Sequence, residues 1–328
     1  MDWARDGADW PHRENSWFVR IGGVAWHVQR MGAGPPLLLL HGTGAATHSW
    51  RDLMPRLAER FSVLAPDLPG HAFTSAQSAR ATSLPGMARA LRELLDGLGF
   101  EPAIVAGHSA GAALLARMAL DGALPSARAL VALNGAFLPL GGLLRVMSPV
   151  AKLLAATPAV PHLLALRARG ASAVERLIAG TGSSIDARGA ELYARLMRDP
   201  GHVAGVLSMM ANWNLAALPR QLDRLPMPLL LAVGTHDRTV PPEQALRIAA
   251  RVPGARVVEL PGLGHLAHEE DPAQVAGLVL RVAREHGVLG HAHGHGHGQG
   301  QGQGHGHGDG APVGRPMARN CEANAAAP

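Results

Sequence analysis

The sequence predicts an α/β fold: a mostly parallel central sheet flanked by helices, with a helical cap inserted between two of its later strands. Three observations predict it. Short apolar runs alternate with segments of helical spacing, the pattern of a parallel sheet covered on both faces. The alternation pauses after Asn134, stays helical from about Phe137 to Leu222, and then resumes. The pentapeptide Gly107-His-Ser-Ala-Gly111 falls between an apolar run and an Ala-rich helical stretch.

The elements follow in order. Trp17–Ile21 and Val24–Arg30 read as two strands around a Gly22-Gly23 turn. Pro36–Leu40 is a continuous apolar run, suited to a strand buried on both faces. Leu53, Leu57 and Phe61 recur at helical spacing, and Ser62–Ala65 is a short strand closed by Pro66-Asp-Leu-Pro-Gly70. Met87, Leu91, Leu94 and Leu98 mark one face of a helix that stops at Gly99. Ile104–Ala106 is a strand, Gly107–Gly111 a tight turn, Ala112–Leu120 a helix and Ala129–Leu133 a strand. After the cap come strand Leu229–Val233, helix Pro242–Ala250, strand Val257–Leu260 and helix Pro272–Glu285. The division expected is a core of 1–136 and 223–288, a cap of 137–222 and a tail of 289–328.

Composition narrows the function classes. The 328 residues, 47% of them hydrophobic, suffice for one sizeable core plus an inserted subdomain. Lys152 is the sole lysine, so the net charge of +5 is carried by arginine. No long basic block or nucleic-acid motif accompanies that charge, so no nucleic-acid partner is expected. Cys321 is the sole cysteine and cannot form an internal disulfide. Met1–Asn15 is charged and lacks the apolar region of a signal peptide. The most apolar stretch, Leu138–Leu166, is broken by Arg145, Lys152 and prolines, short of the about 20 apolar residues of a membrane span. The expectation is a soluble, cytoplasmic protein without a transmembrane segment. From Gly290 to Gly310 the chain repeats His-Gly and Gln-Gly, offers nothing apolar to bury and is expected to be disordered through Pro328. His291, His293, His295, His297, His305 and His307 could take Zn²⁺, Cu²⁺ or Ni²⁺ there, though not Mg²⁺, but a drifting repeat accounts for them at least as well. No cofactor and no metal site is predicted.

The chemistry-bearing residues are Ser109, Asp237 and His265. Gly107–Gly111 fits G-x-S-x-G, a sharp strand-to-helix turn that tolerates only small neighbours and presents the serine Oγ above the sheet. A serine hydroxyl needs a base. His265, on a Gly-rich loop after the last strand, is the best one; His236 and His268 are rivals, and His268 is expected to face outward near the start of the last helix. The base needs a carboxylate, and Asp237 lies just past the C-terminal end of strand Leu229–Val233, where sites on such sheets gather. Its plainer role would be a helix cap or turn residue. The order Ser, Asp, His is that of the α/β-hydrolases. The Ala110 N–H is one expected oxyanion donor and the Thr43 N–H, with Gly44 as fallback, the second, from His41-Gly-Thr-Gly44. The His41 ring is expected to brace that loop, and Asp67 to tie a turn together. Ala72 stands where the Asp67-Leu-Pro-Gly-His71 pattern usually continues with Gly. The α/β-hydrolases that open epoxides or remove halides use Asp at the elbow, so Ser109 argues against both chemistries.

Beyond these general motifs, the chain resembles the BchO-type magnesium-chelatase accessory proteins of bacteriochlorophyll biosynthesis. The resemblance spans roughly Asp9–Glu285. It rests on His41-Gly-Thr-Gly-Ala-Ala-Thr-His-Ser-Trp50-Arg-Asp-Leu53, Asp67–His71, Gly107–Gly111 with Ala113–Gly122, and the Trp10-Pro11 element. The cap segments Glu175-Arg-Leu-Ile-Ala-Gly-Thr-Gly182 and Met209-Met-Ala-Asn-Trp-Asn214 are its more particular part. It implies a photosynthetic bacterium, a place near the step that inserts Mg²⁺ into protoporphyrin IX, chelatase subunits as partners, and proximity to pigment enzymes at the inner membrane face. It does not supply a reaction. The residues themselves predict a serine hydrolase that cleaves an ester, thioester or amide of a small-molecule substrate through an acyl-enzyme; the resemblance implies a tetrapyrrole as the candidate substrate. The alternative is a non-catalytic accessory protein that binds porphyrin or chelatase with a vestigial triad.

Overall fold

The structure is a computed structural model and describes residues 1–75, 78, 80–139, 157, 159–168 and 171–290. Its strands are β1 Ser16–Ile21, β2 Val24–Met31, β3 Pro36–Leu40, β4 Ser62–Pro66, β5 Ile104–His108, β6 Ala129–Leu133, β7 Leu229–Gly234 and β8 Arg256–Leu260. They form one eight-stranded sheet in the order β1-β2-β4-β3-β5-β6-β7-β8. β1 pairs antiparallel with β2, and β2 with β4; every later pairing is parallel. Ile21 lies opposite Val24, so the first hairpin turns on two residues. Both are glycines, at φ +59° and +77°, the mirror-image geometry that matches strand twist.

The apolar runs sort as a two-sided sheet requires. Leu38 and Leu40 of β3 pack into one core layer, Leu37 and Leu39 into the other. Past the short N-terminal helix α1 (Trp3–Asp6), helices α3 (Leu84–Gly97) and α4 (Ala110–Leu120) fill the first layer with Leu91, Leu94 and Met118. Helix α2 (Met54–Ala58) and the last helix fill the second with Leu57, Val275 and Val279. The spacing of Leu53, Leu57 and Phe61 marked a buried face correctly, but the α-helix is only one turn of it. Helix α3 is capped by Ser83 Oγ, which accepts from Gly86 N–H, and ends two residues early, with Gly99 at φ +58° just beyond.

Between β6 and β7 lies the inserted helical cap. Its described helices are α5 Ala159–Arg167, α6 Ala171–Gly180, α7 Ala187–Met197 and α8 Pro200–Asn212, and none of its described residues is in a strand. Asp186 and Asp199 cap α7 and α8 by accepting from Gly189 and His202 N–H groups at 2.6 and 2.8 Å. A Cβ on Gly205 would lie 1.8 Å from Gly70 O, so α8 rests directly on the backbone of the β4–α3 connection. Ala72 in that connection takes φ +44°, the left-handed region usual for the glycine it replaces. Beyond β7 come α9 Glu243–Ala249, α10 Ala267–Glu270 and α11 Pro272–Glu285. Among the described residues, no helix is long and apolar enough to cross a membrane. Of the expected tail 289–328, residues 291–328 lie outside the described residues, as do Arg145 and Lys152, while Leu289 is buried in the second core layer.

Candidate active site

Ser109 stands between β5 and α4 with φ +50° and ψ −114°. Such a conformation costs a non-glycine residue about 1–3 kcal/mol and persists only where its surroundings impose it. Here the Ser109 N–H donates to Leu133 O at 3.0 Å, while its own carbonyl accepts from Ala112 and Ala136 N–H groups at 3.2 and 3.1 Å. The flanking glycines are required by space. A Cβ on Gly107 would lie 2.6 Å from Ala112 N, and one on Gly111 2.1 Å from Leu40 O. Ala110 opens α4, so its N–H has no acceptor within the helix.

Asp237 follows β7, is buried, and is fully engaged. Its Oδ1 accepts from Thr239 and Val240 N–H groups at 2.7 and 2.8 Å. Its Oδ2 accepts from His265 Nδ1 at 2.8 Å and from Asn134 Nδ2 at 2.7 Å. A carboxylate held by four donors cannot rotate, so the imidazole it orients is fixed too. With Nδ1 protonated toward Asp237, the free lone pair of His265 is on Nε2. His265 is 6% exposed, on the loop after β8. The structure thus brings Asp237 and His265 together. Among the described residues no hydrogen bond joins Ser109 Oγ to His265, a contact that often closes only with substrate bound. What joins the elbow to the base is His108, whose Nε2 donates to His265 O at 2.9 Å, with ring centroids 4.7 Å apart.

The loop after β3 lies against the elbow. A Cβ on Gly42 would be 3.1 Å from Ser109 Cβ and 2.8 Å from His108 Nδ1. His41 braces it: Nδ1 donates to Gly42 O at 2.8 Å and Nε2 accepts from Leu68 N–H at 2.9 Å, which fixes a neutral ring. Burial lowers the His41 pKa in the same direction. Thr43 is exposed, and its Oγ1 reaches Met209 Sδ of α8 at 3.6 Å, so its side chain points to the cap. Gly44 has φ +79°.

Asp67 ties its turn as expected. Its Oδ2 accepts from His27 Nδ1 at 2.7 Å, and its Oδ1 from Thr47 N–H at 2.7 Å. Burial pushes its carboxyl up, but His27 and the Thr47 amide outweigh that and hold it at about 2. One expectation is corrected. His268 does not face outward: it is 1% exposed, its ring 4.6 Å from Trp50 and 4.5 Å from His108. The cause is α10, an extra helical turn that carries Ala267, His268 and Glu269 into the core. Burial lowers the His268 pKa to about 3. Beside it, buried Glu269 takes Arg51 Nη1 at 2.5 Å and the Tyr193 hydroxyl at 2.7 Å, and Arg51 Nη2 also meets Asp186 of the cap at 2.9 Å. Asn134 and His108 are the site residues that motif reading missed. Asn134, at φ +48°, directly follows β6, beside the C-terminal ends of β5 and β7, and that placement was its one available signal.

The α/β-hydrolase-fold family profile matches residues 35–272. The chain belongs to the α/β-hydrolase family. This α/β-hydrolase is 38% identical to the magnesium-chelatase 30 kDa subunit of Rhodobacter capsulatus over 276 residues, which cover 83% of this chain and 96% of that protein. The resemblance to magnesium-chelatase accessory proteins read from the sequence is thereby borne out. Among solved structures, an α/β-hydrolase-fold protein from Burkholderia ambifaria superposes with a TM-score of 0.69 at 24% identity, over 81% of this chain and 97% of its own. The carbazole-degradation serine hydrolase CarC superposes with a TM-score of 0.68 at 21% identity, over 82% and 98%. At these identities the likeness is one of fold.

Proposed function

We propose that this α/β-hydrolase is a serine hydrolase that cleaves an ester, thioester or amide through an acyl-enzyme on Ser109. The observation that carries the reading is the 2.8 Å contact of His265 Nδ1 with the fully bonded Asp237 carboxylate, beside a strained Ser109 elbow. His265 Nε2 takes the Ser109 proton as Oγ adds to the substrate carbonyl. The oxyanion that forms meets the N–H groups of Ala110 and Thr43, which need not reorganise to receive it. His265⁺, steadied by Asp237, then gives the proton to the leaving group, and water repeats the sequence to release the acid.

The likeness to the Rhodobacter capsulatus chelatase subunit favours a substrate class and a setting. The candidate substrate is a tetrapyrrole ester, the candidate partners are magnesium-chelatase subunits, and the place is the cytoplasm near the inner membrane face. The segment 137–222 serves as the cap that shapes the pocket. The test is labelling of the purified protein with a fluorophosphonate, with Ser109→Ala as control. Labelling of the parent alone is expected. A folded parent that takes no label overturns the reading and favours the accessory role, in which porphyrin titration followed by Soret absorbance then gives a shift.

A further inference from the structure

The cap turn after α6 touches both loops of the candidate triad. The carbonyl of Thr181 accepts from Arg238 N–H at 3.1 Å and from His265 N–H at 3.4 Å, one residue past the acid and at the base itself. Ser183 Oγ, buried, accepts from Leu266 N–H at 2.8 Å. Ser184 N–H donates to Glu270 Oε2 at 3.1 Å, and the other oxygen of that carboxylate accepts from Gly264 N–H at 2.8 Å. The approach is backbone on backbone. A Cβ on Gly182 would lie 1.9 Å from His236 O, and one on Gly264 2.3 Å from Gly182 O; Gly182 itself has φ +84°. The turn is in turn held to its own helix, with Thr181 Oγ1 bonded to Ile178 O at 2.6 Å.

We propose that the turn 181–184 positions His265 against Asp237, so that seating of the cap and alignment of the acid–base pair are one equilibrium. It rests on the hydrolase reading of that pair and extends it to the cap. The loop that carries His265 is bonded to this turn at His265 and Leu266 and, through Glu270, at Gly264, and lifting the turn leaves the buried His265 and Leu266 amides without acceptors. Such amides are costly to leave unpaired, so the loop moves with the turn. Arg51 and Tyr193 add a second tie: through Glu269 they join α7 to α10, the turn of chain that follows His265. A ligand or partner that shifts the cap therefore changes the reactivity of Ser109 without touching it.

The test uses the full chain with Ser183→Ala and Gly182→Ala, and with Ile178→Val as a control that thins the same cap cluster without touching the turn's bonds. Two readouts are taken on samples shown to be folded by circular dichroism. One is the rate of fluorophosphonate labelling. The other is the far-downfield imidazole proton of His265 in its bond to Asp237, identified by its absence in His265→Gln, which reports the pair whether or not the protein turns over. Ser183→Ala is expected to slow labelling by about tenfold to a hundredfold and to broaden the downfield proton through faster exchange, while Ile178→Val leaves both at the parent level. Parent-like labelling and a parent-like proton in both turn variants overturn the proposal. A parent that does not label, but whose downfield proton is lost in Ser183→Ala, upholds the positioning role and removes the hydrolase reading alone. If Gly182→Ala does not fold, Ser183→Ala decides, since it removes one hydroxyl and adds no volume.

Discussion

Asn134 Nδ2 donates to Asp237 Oδ2 at 2.7 Å and to Gly264 O at 2.9 Å, so the residue that follows β6 holds both Asp237 beyond β7 and the loop of His265. Its own Oδ1 accepts from Gly234 N–H at 3.2 Å. Asn134→Ala is expected to cost about 1–3 kcal/mol of stability, because it leaves buried backbone groups unpaired. It should also slow fluorophosphonate labelling. Asn134→Asp sets a second carboxylate against Asp237 and is expected to slow labelling further. Denaturant unfolding and labelling rates measured on the same samples check both; a stable, fully reactive Asn134→Asp would contradict the geometry.

Asp237→Asn keeps the shape of the side chain but offers His265 an amide that no longer fixes the tautomer or steadies the imidazolium. A loss of about 10⁴-fold in the rate of Ser109 modification is expected. Time courses of labelling at matched probe concentration measure it, and a loss under tenfold would show that Asp237 is only a turn residue.

Thr43→Ala should leave the reaction nearly intact, since its Oγ1 faces Met209 and the role assigned to it belongs to its backbone N–H. Thr43→Pro, which lacks that N–H, should lower turnover of an activated ester by about 10²–10³-fold. Equal effects of the two substitutions would assign the oxyanion contact elsewhere.

The protein should be sensitive to acid. Burial lowers the pKa values of His41, His48, His71, His108, His202 and His268, to about 3 for His71 and His268. Once unfolded these rings titrate near 6.5, so below that pH the unfolded chain binds protons that the fold refuses. For His71 and His268 that contribution is complete above pH 6.5 and is lost as pH falls toward 3, at about 1.4 kcal/mol per pH unit for each ring that titrates fully, and the other four rings act in the same direction. Glu269 acts oppositely: burial, against the pull of Arg51 and Tyr193, pushes its carboxyl up to about 7, so its contribution fades as pH rises from 4.5 through 7. One proton against six leaves acid destabilising. Denaturant midpoints between pH 7 and 4.5 should fall steeply, and His48→Gln should lessen the slope by one proton; a flat profile would mean that the rings are already charged in the fold.

Gly205→Ala is expected to destabilise by about 1–3 kcal/mol, because the new methyl meets the Gly70 carbonyl and α8 has to lift from the β4–α3 connection. Thermal melting beside Gly277→Ala, where a Cβ meets nothing within 4 Å, separates this clash from a general glycine effect.

Much of the site was legible because its signals are local. The elbow is a strain problem that demands small residues on both sides of Ser109, and Asp237 and His265 each follow an apolar strand that announces itself. What was illegible depends on packing. Asn134 is one residue after a strand, with no motif around it, and only the neighbouring strand ends show what it holds. His268 was misplaced because α10 spans four residues, Ala267–Glu270, too short for any periodicity to reveal which side is buried. The grip of residues 181–184 on the His265 loop joins segments more than 80 residues apart, which spacing in one chain cannot disclose.

β6 and β7 are neighbours in the sheet, yet the whole cap is strung between Leu133 and Leu229. Closing so long an excursion penalises the fold only logarithmically, and doubling its length would add about 0.6 kcal/mol. The sheet therefore sets almost no limit on what evolution can splice there. Caps of different size and pocket can be traded between relatives while the strands beneath stay the same, provided each newcomer brings its own grip on the loop of His265. The step most exposed to failure is kinetic: β7 must find β6 across an unfinished insertion, so the cap-bearing half of the sheet should be the slow one to form.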